Sequence, residues 1–251
     1  MIKGLDVFRD HFSDMSDQYV LIGGVAASIT MVENALPFRG TKDLDIVLRL
    51  EAEDRSFTGR LWAFIEAGGY EIRQRSDGTG PILFRFAKPT VASYPAQLEF
   101  FSKLPEGISL DEEATITPIP TDEGLTSLSA ILLDQHYYAY LCEGVHISDA
   151  LSYIRADRLI PFKARAWIDL TARKASGEKV DSINIDKHRN DIVSLSVVLT
   201  PEMATLPESI AVDMSAFLER LPGETINLNK LGIVTELSEV IVRIKAAFSL
   251  P

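Results

Sequence analysis

Gly23-Gly24 and, after eighteen intervening residues, Asp43-Leu44-Asp45 are the groups in this chain best suited to chemistry. The first stretch reads Tyr19-Val20-Leu21-Ile22-Gly23-Gly24-Val25-Ala26-Ala27-Ser28, an apolar strand running into a glycine pair and an alanine-rich helix start. A helix start presents unsatisfied N–H groups and the positive end of its dipole, so it suits an anion such as phosphate. In Thr41-Lys42-Asp43-Leu44-Asp45-Ile46-Val47-Leu48 the two acids alternate with apolar residues. Side chains two apart on a strand share a face, so Asp43 and Asp45 can reach the same magnesium ions. A phosphate-compatible turn beside a two-carboxylate clamp points to nucleotidyl transfer. That chemistry is limited by charge and alignment, and metal ions held between carboxylates serve both the attacking oxygen and the leaving pyrophosphate.

Glu99, flanked by Leu98 and Phe100, is the third carboxylate expected at the metal, pointing opposite to its apolar neighbours on a nearby strand. Arg39, Thr41 and Lys42 stand just before the acidic strand, where they would either hold a triphosphate or only offset the charge of the acids. Ser28 reads as a serine on a helix face, and the single cysteine, Cys142, as a small core residue. No His/Cys spacing suggests zinc, and no Walker-type lysine loop or kinase signature is present.

The elements that must position these groups follow from periodicity. A strand at 19–22, a helix at about 24–34 and a strand at about 43–49 form the heart of the site, with Pro37 ending the helix beforehand. A helix at 54–67, a hairpin of 70–75 with 82–86 around the turn 77–80, and a strand at 97–101 extend it. An edge strand at 114–119, a helix at 125–133, and a strand or continuation at 137–141 follow, while 152–154 is too short to assign. From about Asp157 the pattern is helical, with helices through Ala175, from Asp186 to Leu199, around 207–221 and from about 235 to 248. The expected fold is α/β (α+β), a mixed sheet with flanking helices in residues 1–135, then a mainly helical part, 136–251, that completes the cleft.

A net charge of −11, from 25 basic and 36 acidic residues, argues against a protein that coats nucleic acid through a general positive field. Between Arg155 and Lys179 the balance reverses, which suits a confined grip on one triphosphate or one RNA end. With 46% apolar residues, no apolar run approaches a membrane span and charges interrupt the first ten positions, so a cytoplasmic location is expected by default.

Ile22-Gly23-Gly24 followed by Asp43-Leu44-Asp45-Ile46 resembles the signature of the DNA polymerase β-like nucleotidyltransferase superfamily. The longer match, Leu21-Ile22-Gly23-Gly24-Val25-Ala26 with Arg39-Gly40-Thr41-Lys42-Asp43-Leu44-Asp45, resembles its AbiEii-type branch, which includes toxins of type IV toxin–antitoxin systems. The wide gap between glycines and acids fits that branch. Leu159-Ile160-Pro161-Phe162-Lys163-Ala164-Arg165-Ala166 is similar to the family's lysine helix, and Lys187-His188-Arg189-Asn190-Asp191-Ile192 to its later acidic motif. The likeness covers roughly residues 19–195; Val25 departs from it where many toxin-like members carry a hydroxyl.

The resemblance implies a Mg²⁺-dependent nucleotidyltransferase, with Mn²⁺ as an alternative metal and an NTP as substrate. Asp43, Asp45 and Glu99 would hold metal, and Gly23, Gly24, Thr41 and Lys42 would line the nucleotide. Lys163 would touch its phosphates, with Asp191 as an acidic partner. Without the resemblance Lys163 reads as a solvated helix lysine, and His188 as a surface histidine in a charged run. The acceptor is an RNA or tRNA end, a protein, or a small-molecule hydroxyl of the aminoglycoside kind, and a cognate antitoxin is an implied partner. The alternative is a catalytically silent nucleotide- or partner-binding half of a toxin–antitoxin pair.

Overall fold

All four residues of strand β1 (Tyr19–Ile22) are buried, which places this strand inside the sheet and away from its edges. The computed structural model describes residues 2–49, 55–72, 82–102, 109–110, 114–115, 131–132 and 134–251. Before β1 comes α1 (Leu5–Phe12); after it come α2 (Gly23–Glu33), β2 (Asp43–Leu48), α3 (Arg55–Gly68), β3 (Glu71–Ile72), β4 (Ile82–Ala87) and β5 (Gln97–Ser102). A small ribbon, β6 (Ser109–Leu110) with β7 (Ala114–Thr115), stands apart. The remainder is α4 (Gln135–Glu143), β8 (Val145–Ser148), β9 (Leu151–Ile154), α5 (Ala156–Ala175), α6 (Ser182–Leu195), α7 (Glu208–Arg220) and α8 (Leu237–Ala247).

The fold is mixed α/β. Among the described residues seven strands make one sheet in the order β3-β4-β5-β2-β1-β9-β8. β2 runs antiparallel to β1 and parallel to β5, while β1 runs parallel to β9. The register sets Ile22 opposite Asp45, Asp45 opposite Glu99, and Asp43 opposite Gln97. Cross-strand partners on one face stand close enough for their side chains to meet, so this register brings the end of β1 and the acids of β2 and β5 together.

Apolar stripes explain the covering layers. Phe8 and Phe12 of α1 are fully buried and meet Tyr19 and Phe64, with ring centres 5.2 Å apart for Phe8–Tyr19 and 5.5 Å for Phe12–Phe64. Small residues of α2, Gly24, Ala26 and Ala27, are buried where the helix lies close to the sheet. Cys142 is free and packs at the margin of the core, as its isolation implied.

Three elements that the sequence left open or only in part described take definite form. Residues 137–141 are helical, because Asp134 caps α4 by accepting from the N–H groups of His136 (2.8 Å) and Tyr137 (3.3 Å). The fragment 152–154 belongs to β9, which is wholly buried beside β1. With β8 it forms a hairpin at the end of the main sheet. Of the expected edge strand 114–119, residues 114–115 form β7, and the rest lies outside the described residues, as do the turn 77–80 and positions 125–130 of the expected helix.

Pro161 lies inside α5 and has no N–H to give the carbonyl of Asp157 one turn earlier. The hydroxyl of Tyr140 donates to that carbonyl instead, at 3.1 Å. Tyr140→Phe is expected to lower stability by about 1 kcal/mol, or roughly 2–4 °C in Tm for a chain of this size. A melting curve superimposable on the parent's would show that the hydroxyl does not compensate for the proline.

Candidate active site

Gly23 begins α2 with φ +64°, a left-handed conformation that side chains other than glycine resist. A Cβ built there would collide with the carboxylate of Asp45. The glycine turn and the acidic strand therefore meet at one point. Gly24 is equally closely approached: its missing Cβ would stand 3.0 Å from Thr41 Oγ1 and 3.3 Å from an Arg39 guanidinium nitrogen. The loop before β2 is thus folded back over the glycine pair, and the Lys42 carbonyl fastens it to the residue just before β5 by accepting from Ala96 N–H at 3.2 Å. Thr41 Oγ1 donates to the Asp43 carbonyl at 3.4 Å, and the Lys42 side chain is exposed.

Gly23→Ala should cost about 1–2 kcal/mol from backbone handedness alone and displace Asp45 as well. A fall in Tm together with the loss of any Asp45-dependent activity is the expected result; an Ala variant with wild-type melting and activity would show that the close approach is dispensable.

The acids lie in unlike surroundings. Asp45 is only partly exposed and crowded by protein; burial, then the charge of Glu99, raises its pKa to about 7 against the pull of Lys187 and Lys163. Asp43, two residues earlier on the same strand face, adds to the repulsion. Glu99 is also raised, by burial first, although Arg85 and Gln97 act the other way. Arg85 Nε and Gln97 Nε2 donate to Glu99 Oε1 at 2.8 and 2.6 Å, and among the described residues none of these bonds falls on Oε2. Arg85 sits opposite Glu99 in the sheet, and Gln97 two residues before it.

This set fits a hard divalent cation in part. Asp43 and Asp45 supply oxygen donors on one face, and the repulsion that raises Asp45 is what a bound cation would relieve. Glu99 has one oxygen already engaged, and among the described residues no three acidic, histidine or cysteine side chains are drawn to coordination spacing.

The opposite wall comes from the helices. Asp191 of α6 is 1% exposed and takes both arms of Arg39, at 2.6 and 2.7 Å, together with the Lys163 ammonium at 2.7 Å. Burial alone would raise its pKa, but Lys163 and Arg39 outweigh that and hold it at about 2. Lys163 is therefore neither solvated nor free: it is 5% exposed and bound to Asp191. The three side chains tie the loop over Gly24 to α5 and α6 and leave one net positive charge.

Other cations of the expected basic stretch are likewise neutralised. Arg158 pairs with Asp157, Arg165 with Asp213, and Arg173 with Asp169 and Glu178. Asp213 comes from α7, so folding supplies a counter-charge from far along the chain. His188 is half-buried, unlike a surface histidine; burial, then Lys163, depresses its pKa to about 3, and among the described residues its buried Nδ1 has no partner.

Sequence reasoning missed Arg85, Gln97 and the closure of Arg39 upon Asp191. Gln97 was legible, since it shares a strand face with Glu99. Arg39 and Asp191 stand 152 residues apart, a pairing without local signal.

No protein-family model matches the chain, and no curated protein matches it significantly. Among solved structures, the Cid1 poly(U) polymerase with Mg and 3'-dATP bound aligns with 78% of this chain and 47% of its own, at 13% identity and a TM-score of 0.27. The chain thus spans less than half the length of that polymerase, and the similarity is too distant to bear on activity. Among the described residues no helix is long and apolar enough to cross a membrane.

Proposed function

We propose that this chain is a Mg²⁺-dependent nucleotidyltransferase that moves a nucleoside monophosphate from an NTP to an acceptor hydroxyl. The observation that carries this reading is the contact of the Asp45 carboxylate with Gly23, which joins an anion-compatible helix start to a pair of acids. Asp43 and Asp45, with Glu99 through Oε2, would hold Mg²⁺ or Mn²⁺. The bound metal would neutralise charge on the phosphates and acidify the attacking hydroxyl.

The chain's own groups would do the rest. N–H groups of the first turn of α2 lack partners within the helix and can donate to phosphate oxygens. Arg39 and Lys163, gathered on Asp191, would set one net positive charge beside the glycine turn. Thr41 and Lys42 stand at the rim of the glycine turn. The acceptor is an RNA or tRNA end, or a protein or small-molecule hydroxyl, and the chain would act as a toxin-like component opposed by an antitoxin.

The test is incubation with each labelled NTP, Mg²⁺, and either total RNA or cell extract. Label transfer that disappears in Asp43→Ala is expected; no such transfer to any acceptor would refute the proposal. A second reading, a silent nucleotide-binding protein, is favoured by the closed pairing of Lys163 and Arg39 with Asp191 and of Glu99 with Arg85. Calorimetry separates the two, because binding without transfer supports only the second.

A further inference from the structure

Asp191 marks the face of α6 that looks onto the glycine turn, since it holds the Arg39 that lies against Gly24. Residues three and four positions earlier on a helix share that face. They are His188 and Lys187. The two lysines near this face stand in opposite circumstances. Lys163 is buried with its ammonium bonded to Asp191 at 2.7 Å, so recruiting it to a ligand would break a buried ion pair. Lys187 is exposed and, among the described residues, forms no hydrogen bond or ion pair. One turn before Asp191, it stands on the face of α6 that Arg39 joins to Gly24. His188 beside it is held neutral by burial and by the surrounding cations, so it adds no competing charge.

We propose that Lys187 is the cation that grips the triphosphate from the helical wall, and that Lys163 serves as the buried counter-ion of Asp191. The assignment rests on the nucleotidyl-transfer reading and gives Lys187 the phosphate contact that motif likeness gives Lys163. A compact ammonium on a flexible stem can follow a phosphate through binding and release without disturbing the fold.

The experiment is titration calorimetry of the full chain with Mg²⁺ and each of ATP, CTP, GTP and UTP in turn, paired with thermal melting. For the nucleotide that the wild type binds, Lys187→Met should weaken binding by about ten- to a hundredfold, the value of one charged hydrogen bond, with an unchanged Tm. Lys187→Arg should recover most of the affinity, and Lys163→Met should lower Tm. Wild-type affinity in Lys187→Met would overturn the assignment while leaving the transferase reading standing. A wild-type chain that binds none of the four nucleotides would remove both, and the two failures are told apart by the wild-type titration.

Discussion

Asp45→Asn should lower the proposed nucleotidyl transfer by about a hundred- to a thousandfold, and yet raise the melting temperature of the metal-free protein above neutral pH. The two effects share one cause. Asp45 is crowded by protein and repelled by Glu99 and Asp43, so its pKa stands at about 7. Between about pH 4, where a carboxylate titrates in the unfolded chain, and pH 7, the folded protein holds a proton that the unfolded chain has released. Stability therefore falls as pH rises through that window, and the full penalty is present above it. Asparagine removes the penalty together with a charge that the proposed metal would need. Each kcal/mol regained corresponds to roughly 2–4 °C in a chain of this size. Melting scans of both proteins in chelator should part as pH rises from about 4 to about 7, and stay apart by the full amount above it. A lower Tm for the variant at alkaline pH would show that ionised Asp45 stabilises the fold and that its surroundings are not those of an uncompensated acid.

Asp191→Ala should be strongly destabilising. The carboxylate is almost wholly buried and satisfies both Lys163 and Arg39. Removing it leaves the Lys163 ammonium buried without a partner, a loss of about 3–5 kcal/mol and roughly 10 °C in Tm. Arg39 is freed at the same time, so the loop over Gly24 loses its tie to α6. The double variant Asp191→Ala/Lys163→Met should recover a large share of the loss, because it deletes the stranded charge too. Equal instability of the single and double variants would exclude the ion pair as the cause. The pH dependence has the opposite sign to that of Asp45. Asp191 titrates near 2, below its unfolded value, so its contribution is complete above about pH 4 and is lost as pH falls toward 2.

Local chemistry made much of the site legible. The alternation of Asp43 and Asp45 with apolar residues fixed their shared face, and the strand, glycine pair and small-residue helix followed from composition alone. Gly23 carried more information than its conformational freedom: no other residue leaves space for the Asp45 carboxylate. Glu99 was legible as an inward-facing acid, but Arg85, which takes up one of its oxygens, stands 14 residues away on an antiparallel neighbour. Residues 137–141 read ambiguously because Tyr and Leu suit strands as well as helices; the Asp134 cap decided for the helix.

The sequence by itself determined which groups can do chemistry, because side-chain type and a two-residue period are local properties. It could not determine which charges are free. Between Arg155 and Lys179 it shows a basic stretch, yet Lys163, Arg165 and Arg173 each find a carboxylate, from Asp191, from Asp213, and from Asp169 and Glu178. Lys187, four residues before Asp191, keeps its ammonium exposed without an ion pair among the described residues. Ion pairing depends on distances between segments far apart in the chain, and only the packing of α5, α6 and α7 fixed those distances, and with them which cations remain free for a ligand.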